Sequence, residues 1–261
     1  MARILLTSTL AVMVLAGGGA IALAQVAAPN PGGPTPITGY LPTDTGLDGA
    51  ALIGPPPTPD SLSERADRAA YDDSRALAGS AAWKQAIIDD SLVSPTGIRS
   101  FSCAVGAAIG PDETPVLARM MSRMARDASA VARASKLKYQ RPRPAIGNEQ
   151  PICVAREAWL GEDPSYPSGS GAVGWAWSLV LAELAPARAQ PLLARGLEIG
   201  DGRVICGVHY PSDIQAGRLI GAAVVSRLHA EAAFKADLEA ARAELATSRS
   251  KGPAAGCAAG S

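Results

Sequence analysis

The pattern of apolar and polar residues along the chain predicts helices, and no segment alternates convincingly like a strand. The clearest amphipathic helix begins at Thr114-Pro115, because proline suits the first turn of a helix. Its apolar side chains recur at helical spacing on one stripe, while arginines lie elsewhere. The stripe consists of Leu117, Met120, Met121, Met124 and Val131. We expect the methionines to pack in a core rather than to contact a cofactor.

Two helices are predicted before that segment. Ser61 can cap a helix with Glu64 three residues on, which is the capping-box pattern, and this helix should run to about residue 78. Gly79 is suited to end it. A second helix should begin near Ser80 and carry Trp83.

Three helical segments are indicated in the second half of the chain. Residues 171–184 are apolar nearly all round, which predicts a buried central helix. Residues 214–229 form another helical pattern, and a further apolar face follows. That face consists of Phe234, Leu238, Ala241 and Leu245. The predicted fold class is therefore all-α, a single-domain helical bundle over residues 61–248.

The two ends of the chain are predicted to lie outside this domain. Residues 1–24 have a positive start, an apolar run and the A-x-A site Ala22-Leu23-Ala24, which is typical of a secretory signal peptide. An uncleaved membrane anchor is the alternative. Residues 25–60 are rich in proline and glycine and predict an extended linker. Residues 249–261 are small and polar and predict a flexible tail.

Composition narrows the function classes. The formal net charge is +0, so no global field recruits nucleic acid or acidic membranes, and we expect neither as a partner once the signal peptide is cleaved. Two histidines are too few for a histidine-rich metal centre, and we expect no metal and no cofactor. Four cysteines without a C-x-x-C pattern fit an exported protein, and three disulfide pairings remain open. A homo-oligomer is compatible with the sequence.

The stretch YPSGSGAVGWAW, residues 166–177, includes the spacing G-x-G-x-x-G. A dinucleotide site would need a preceding strand and βαβ alternation, and neither is predicted. The G-x-S-x-G pattern of serine hydrolases is also absent. A helix start rich in small residues remains, whose free backbone N–H groups could hold an anion, and Gly169 would let an oxygen approach the backbone closely. An ordinary turn and helix cap is the alternative.

Two further clusters bear on the same chemistry. Lys136 lies seven residues before Arg143-Pro144, and Arg203 is followed by His209 and then Asp213. A carboxylate four residues after a histidine can hold one imidazole nitrogen and leave the other as a nucleophile. Taken singly, these clusters could be a solvated basic loop and a structural His–Asp pair.

In their order, K-x6-R-P, P-S-G and R-x5-H-x3-D, the clusters resemble the phosphatidic acid phosphatase type 2 superfamily. The resemblance extends over roughly residues 62–245 and is closest to the class A bacterial nonspecific acid phosphatases. It implies an all-α fold of the acid phosphatase and vanadium haloperoxidase type, metal-free catalysis and small phosphate monoesters as substrates. Carried over by position, Lys136, Arg143, Ser168, Gly169 and Arg203 would bind phosphate.

The resemblance also assigns the chemical roles. His209 would attack phosphorus and carry the phosphoryl group, and Asp213 would orient His209. Two cysteines, Cys153 and Cys206, match positions in that class, which favours a disulfide between them. Pairing of either with Cys103 or Cys257 is the alternative.

One position departs from the family. Ser170 stands where the superfamily has a histidine that protonates the leaving group and then activates water. General acid–base help is worth about 10²–10⁴-fold, so both steps should be slowed. A water or another carboxyl group could take over, the enzyme could favour good leaving groups, or the chain could bind phosphate without turnover. His229 is expected at the surface and not in this role.

The sequence thus predicts a periplasmic or secreted acid phosphatase that acts through a phosphohistidine, with Ser170 counted among its catalytic positions. A non-catalytic phosphate-binding protein is one alternative. A vanadate-dependent haloperoxidase, which would need bound vanadate, is the other.

Overall fold

The computed structural model describes residues 37–257, and it confirms the predicted all-α fold: within this range there is no strand. Two short 3-10 segments, Gly97–Phe101 and Pro186–Arg188, join helices. The α-helices are α1 Gly49–Ile53, α2 Leu62–Arg75, α3 Ala81–Asp89, α4 Ser102–Val105, α5 Pro115–Tyr139, α6 Trp159–Glu162, α7 Gly169–Leu184, α8 Ala189–Ile205, α9 Pro211–Leu228 and α10 Ala232–Ser250. None of these helices is long and apolar enough to cross a membrane.

Helix α7 is the centre of the bundle and packs against α5, α8 and α9. Its surface is apolar on nearly every side, and its one charged residue, Glu183, is exposed, so the helix can be enclosed without burying unpaired charge. Trp177 is 2% exposed, and its indole N–H donates to the carbonyl of Met121 on α5 at 2.8 Å. The predicted methionine stripe of α5 is fully buried on this side. The core is thus built around the two helices that the apolar pattern marks most clearly.

Close contact between α7 and α9 depends on glycine. A Cβ atom at Gly217 would clash with the carbonyl of Ser168, and one at Gly221 would clash with the carbonyl of Ala172. The two helix backbones therefore approach more closely than side chains would allow. This approach places the start of α7 against the start of α9, where the Ser168 N–H donates to the carbonyl of Asp213 at 2.9 Å.

The N-terminal boundary of the folded unit corrects the predicted linker. Tyr40 is 8% exposed, its N–H donates to Asp127 on α5 at 2.8 Å, and its hydroxyl donates to Asp237 on α10 at 2.6 Å. Helix α1 also packs against α5. The linker prediction for residues 25–60 is therefore wrong for residues 37–60, because apolar and hydrogen-bonding groups there complete the bundle. The predicted signal peptide and residues 25–36 lie outside the described residues.

The C-terminal end corrects the predicted flexible tail. Helix α10 continues to Ser250, and Cys257 forms a disulfide with Cys103 at the start of α4. The chain as far as Cys257 is therefore fastened to the bundle instead of leaving it after Ser248. Residues 258–261 lie outside the described part.

Candidate active site

A cavity of about 470 Å³ opens where the start of α7 meets the ends of α5 and α8 and the loop before α9. Most of the residues singled out in the sequence line it. They are Lys136, Arg143, Gly169, Ser170, Arg203 and His209. Three carboxylates, Asp90, Glu157 and Asp163, share the same walls. The fold thus brings residues that are far apart in the sequence to one cavity, whose walls carry both basic and acidic side chains.

Two of the cations are held together by one carboxylate. Lys136 Nζ donates to Asp163 Oδ2 at 2.7 Å and to the carbonyl of Pro164 at 2.6 Å. Arg143 Nη2 donates to the same Oδ2 at 2.6 Å, and its Nε donates to the Asp163 carbonyl at 2.8 Å. Burial, followed by repulsion from Arg143, lowers the pKa of Lys136 despite this pairing. Asp163 was not among the residues predicted from sequence.

The third cation has unused donors. Arg203, at the C-terminal end of α8, is 5% exposed, and its Nη1 lies 2.7 Å from Asp90 Oδ1. That contact lacks hydrogen-bond geometry, and neither Nε nor Nη1 has a hydrogen-bond partner within residues 37–257. Buried N–H groups are nearly always paired, so these donors are suited to a bound anion. Arg75 supports this end of α8 by donating to the carbonyls of Val204 and Ile205.

His209 lies between a cation and a carboxylate. Arg143 Nη1 is 3.1 Å from His209 Nε2, and Asp213 Oδ2 is 3.2 Å from His209 Nδ1. Because a guanidinium can only donate, this contact makes Nε2 an acceptor and leaves the ring proton on Nδ1. Nδ1–H then donates to Asp213, as the sequence pattern predicted. Nε2 therefore carries the lone pair of the ring, and this lone pair accepts from Arg143 at the cavity wall.

The surroundings favour the neutral imidazole. Burial lowers the pKa of His209 well below its usual range, and the positive charges of Arg143, Lys136 and Arg203 lower it further. Burial also raises the pKa of Asp213, while Arg141 and the backbone N–H of Tyr210 act in the opposite direction. A neutral histidine at acidic pH is the form that a nucleophile needs.

Two residues behind His209 were missed in the sequence. Arg141 donates to Asp213 Oδ1 at 2.6 Å through Nη1 and to Asp67 Oδ2 at 2.8 Å through Nη2. Asp67, on α2, also accepts from the backbone N–H of Ser212 at 3.0 Å. The repeated R-P-R-P stretch gave a signal for Arg141, whereas no spacing pointed to Asp67 on α2. Together they fix the carboxylate that orients the imidazole.

The start of α7 supplies backbone donors. Ser168 caps the helix by accepting from the N–H of Gly171 at 3.1 Å, and it is fully buried. It does not line the cavity, so the predicted phosphate-binding role of Ser168 is limited to holding the helix start in place. Gly169 and Ser170 form the wall itself, and the first N–H groups of a helix have no partner within it. Their dipoles favour an anion here.

The remaining predicted residues are placed as follows. Cys153 is disulfide-bonded to Cys206, which ties a cavity-lining loop to the end of α8. Trp159 also lines the cavity, and the Arg143 guanidinium lies 4.8 Å from its ring centre. His229 is exposed, as expected, and its Nε2 lies 3.2 Å from Glu183 Oε2. It does not line the cavity.

Comparisons with known proteins all point to the same family. Residues 119–232 match the PAP2 superfamily. The chain is 35% identical to an acid phosphatase of Zymomonas mobilis, over 77% of each chain. It is 35% identical to a non-specific acid phosphatase of Providencia stuartii, over 79% of this chain and 84% of that one. It is 41% identical to a non-specific acid phosphatase of Salmonella typhimurium, over 74% and 78% respectively.

Proposed function

Because this chain belongs to the PAP2 superfamily, we propose that it is an exported acid phosphatase that hydrolyses small phosphate monoesters through a phosphohistidine at His209. Its relatives carry the name acid phosphatase. The observation that carries the proposal is the Arg143–His209–Asp213 alignment, in which Nε2 is the acceptor nitrogen of the ring and becomes the nucleophile when Arg143 turns from it to the substrate. The two disulfides fit an exported protein, in the periplasm or outside the cell.

Substrate binding uses the donors already described. A phosphate monoester carries about −1.5 to −2 charge near neutral pH. Lys136, Arg143 and Arg203 supply three cations, and two buried nitrogens of Arg203, Nε and Nη1, have no hydrogen-bond partner among residues 37–257, although Nη1 is ion-paired with Asp90. The backbone at Gly169 completes the cradle, and Ser168, which does not line the cavity, supports it by capping α7. Such preorganised donors stabilise charge on the equatorial oxygens as the phosphoryl group moves.

The chemistry proceeds in two displacements. The Nε2 lone pair of His209 forms a bond to phosphorus while the ester P–O bond breaks, and the leaving oxygen departs as an anion or takes a proton from water. Asp213 stabilises the resulting imidazolium through Nδ1–H. Water then attacks phosphorus, the P–N bond breaks, and inorganic phosphate and neutral His209 are released. Burial and the neighbouring cations lower the pKa of His209 and so favour its neutral form.

Ser170 determines how well each step is assisted. Its hydroxyl is not an acid or base of useful strength, so the leaving oxygen must be stable as an anion or draw its proton from elsewhere. Phenolic esters meet the first condition and alkyl esters do not. The enzyme should therefore prefer phosphate esters with good leaving groups.

The first test is hydrolysis of p-nitrophenyl phosphate at about pH 5–6 by the mature chain, beside His209→Ala and Ser170→His. We expect His209→Ala to abolish turnover. Ser170→His should raise kcat on an alkyl ester such as glycerol phosphate about tenfold or more, and less on p-nitrophenyl phosphate. Acid-labile, base-stable phosphate on the parent but not on His209→Ala would identify the phosphohistidine.

The control is His229→Ala, which removes the other histidine and should leave the rate unchanged. Absence of turnover in both the parent and Ser170→His would overturn the phosphatase proposal. Inorganic phosphate binding without turnover would then identify the chain as a phosphate-binding protein. Among the alternative functions, this one fits the presence of Ser170 in place of the family's histidine.

A further inference from the structure

When every acidic and basic side chain on the cavity walls is ionised, their charges do not favour the binding of a dianion. Three cations line the cavity, Lys136, Arg143 and Arg203. Three carboxylates line it too, those of Asp90, Glu157 and Asp163. With all six ionised and His209 neutral, the walls carry no net charge, and a doubly negative phosphate would be left uncompensated. Anion binding therefore needs a compensating change in the site.

Asp163 is the carboxylate placed to provide that change. Its Oδ2 accepts from both Lys136 Nζ and Arg143 Nη2, at 2.7 and 2.6 Å, so it holds the donors that a phosphate would use. Asp90 contacts only Arg203, with a side chain 44% exposed, and Glu157 is exposed. The Asp163 side chain is itself 34% exposed, so what distinguishes it is that it pairs with two of the three cations. Competition for the cations is thus concentrated at Asp163.

We propose that Asp163 takes up a proton when a tetrahedral dianion enters the cavity, so that substrate binding is coupled to acidity. The inference rests on the proposed function only in assigning this cavity to phosphate. The incoming oxygens replace Asp163 Oδ2 at Lys136 and Arg143, and the carboxylate, now beside an anion, binds a proton from solvent. No other bond changes in this step.

The direction of the pH effect follows from the two states of Asp163. In the empty site, burial raises the pKa of Asp163, but attraction to Lys136 and Arg143 outweighs it and holds the pKa below the usual range. With the anion bound, that attraction is lost and repulsion is added, so the pKa rises. Between these two pKa values the anion affinity falls about tenfold for each pH unit gained.

Other groups near Asp163 could take the proton instead. His209, from the loop before α9, contacts Arg143, and its low pKa would also rise beside an anion. Asp213 lies behind that ring and already accepts from Arg141. Lys136 from α5 and Arg143 from the following loop are already charged. The test must therefore separate Asp163 from His209.

The experiment is isothermal titration calorimetry with sulfate, which stays a dianion over the whole range used, so any proton taken up belongs to the protein. Titrations at about pH 5, in two buffers of different ionisation enthalpy, count the protons bound. For the parent we expect uptake approaching one proton per sulfate, and an affinity that falls roughly tenfold to hundredfold by about pH 7.5. Asp163→Asn should lose most of this uptake and bind sulfate roughly tenfold more tightly near neutral pH.

Three variants serve as controls. Glu157→Gln, which changes another cavity carboxylate, and His209→Ala should both keep the proton uptake. Asp163→Ser is a second variant at the same position, and a melting curve for each variant shows whether the protein is folded. Weaker sulfate binding by both folded Asp163 variants would show that Asp163 only positions the cations, and uptake lost in His209→Ala would assign the proton to the imidazole. Either result overturns the inference while leaving the phosphatase test unaffected.

Discussion

Arg143 links three functions at the scale of single residues. Its Nη1 defines the acceptor nitrogen of His209, its Nη2 is bound by Asp163, and its plane covers the indole of Trp159. Movement of this one guanidinium toward a phosphate would therefore release both the imidazole and the carboxylate. A lysine could not hold these contacts together, because it lacks the planar fork of donors.

The pKa of His209 leads to a prediction about pH dependence. The acid limb of kcat/KM reports protonation of the free nucleophile, and we expect it well below the usual histidine range because burial and three cations disfavour the imidazolium. Lys136→Gln removes one of those cations, so the limb should move to higher pH along with a loss of activity. Profiles of kcat/KM against pH measure both effects.

The matched control is Lys138→Gln, two residues further along α5, on an exposed side chain that is absent from the cavity walls. Its profile should coincide with that of the parent. A limb near the ordinary histidine pKa in the parent, or one unmoved in Lys136→Gln, would contradict the electrostatic explanation.

The residues that sequence could identify are those whose spacing is fixed along the chain. His209 and Asp213 are four residues apart, so their contact follows from local geometry. Asp163, Arg141 and Asp67 act through contacts 20 to 74 residues distant, which depend on how helices pack. An isolated aspartate has no pattern that marks such a contact, and these residues became visible only in the structure.

At the scale of elements, the packing of α7 against α9 determines how the parts of the active site are placed relative to one another. Gly217 lies against the carbonyl of Ser168, at the turn that supplies the anion cradle. The same crossing brings the carbonyl of Asp213 to the N–H of Ser168. Packing of two helix backbones thus couples the phosphate cradle on α7 to the histidine–aspartate pair before and within α9.

Gly217→Ala should therefore affect stability and activity together. The added methyl group meets backbone, which cannot move aside as a side chain can, and we expect a loss of about 1–3 kcal/mol in the free energy of unfolding. Activity should fall as well. Gly202→Ala on α8 is the control, since its Cβ would make only ordinary contact with Ala86. Urea unfolding and p-nitrophenyl phosphate turnover provide the measurements, and equal behaviour of the two variants would contradict this view.

Helix α8 shows where element prediction fails. The apolar patterns predict α5 and α7, whereas the sequence analysis assigns no element to residues 189–205, where glycines and a proline weaken intrinsic helix propensity. In the structure Gly196 lies against Ser178 on α7, where a Cβ would clash. Tertiary packing against α7 therefore stabilises a helix that its own residues favour only weakly.

At the scale of the whole molecule, the two disulfides have different structural roles. Cys103–Cys257 joins residues 154 apart and fastens the end of the chain beside α4. Cys153–Cys206 joins a cavity-lining loop to the end of the helix that carries Arg203. The first bears on the stability of the bundle, and the second also bears on the position of a phosphate-binding cation.

Paired serine substitutions should separate these roles. Cys103→Ser with Cys257→Ser should lower the free energy of unfolding by about 2–4 kcal/mol and leave kcat/KM nearly unchanged. Cys153→Ser with Cys206→Ser should lower kcat/KM about tenfold or more as well, because Arg203 loses its brace. Thermal melting and kinetics on the two pairs check this, and a reversed pattern would refute it.

The contact between Arg143 and Trp159 has an optical consequence. An indole covered by a guanidinium at 4.8 Å emits in an environment that this one cation dominates, and the indole itself lines the cavity. Trp177, by contrast, is enclosed in the core and does not sense the cavity. We expect an anion that draws Arg143 away to change the emission of Trp159, whereas the other tryptophans, Trp83, Trp175 and Trp177, do not line the cavity. The chain therefore contains an intrinsic fluorescent reporter of occupancy that requires neither turnover nor a coloured substrate.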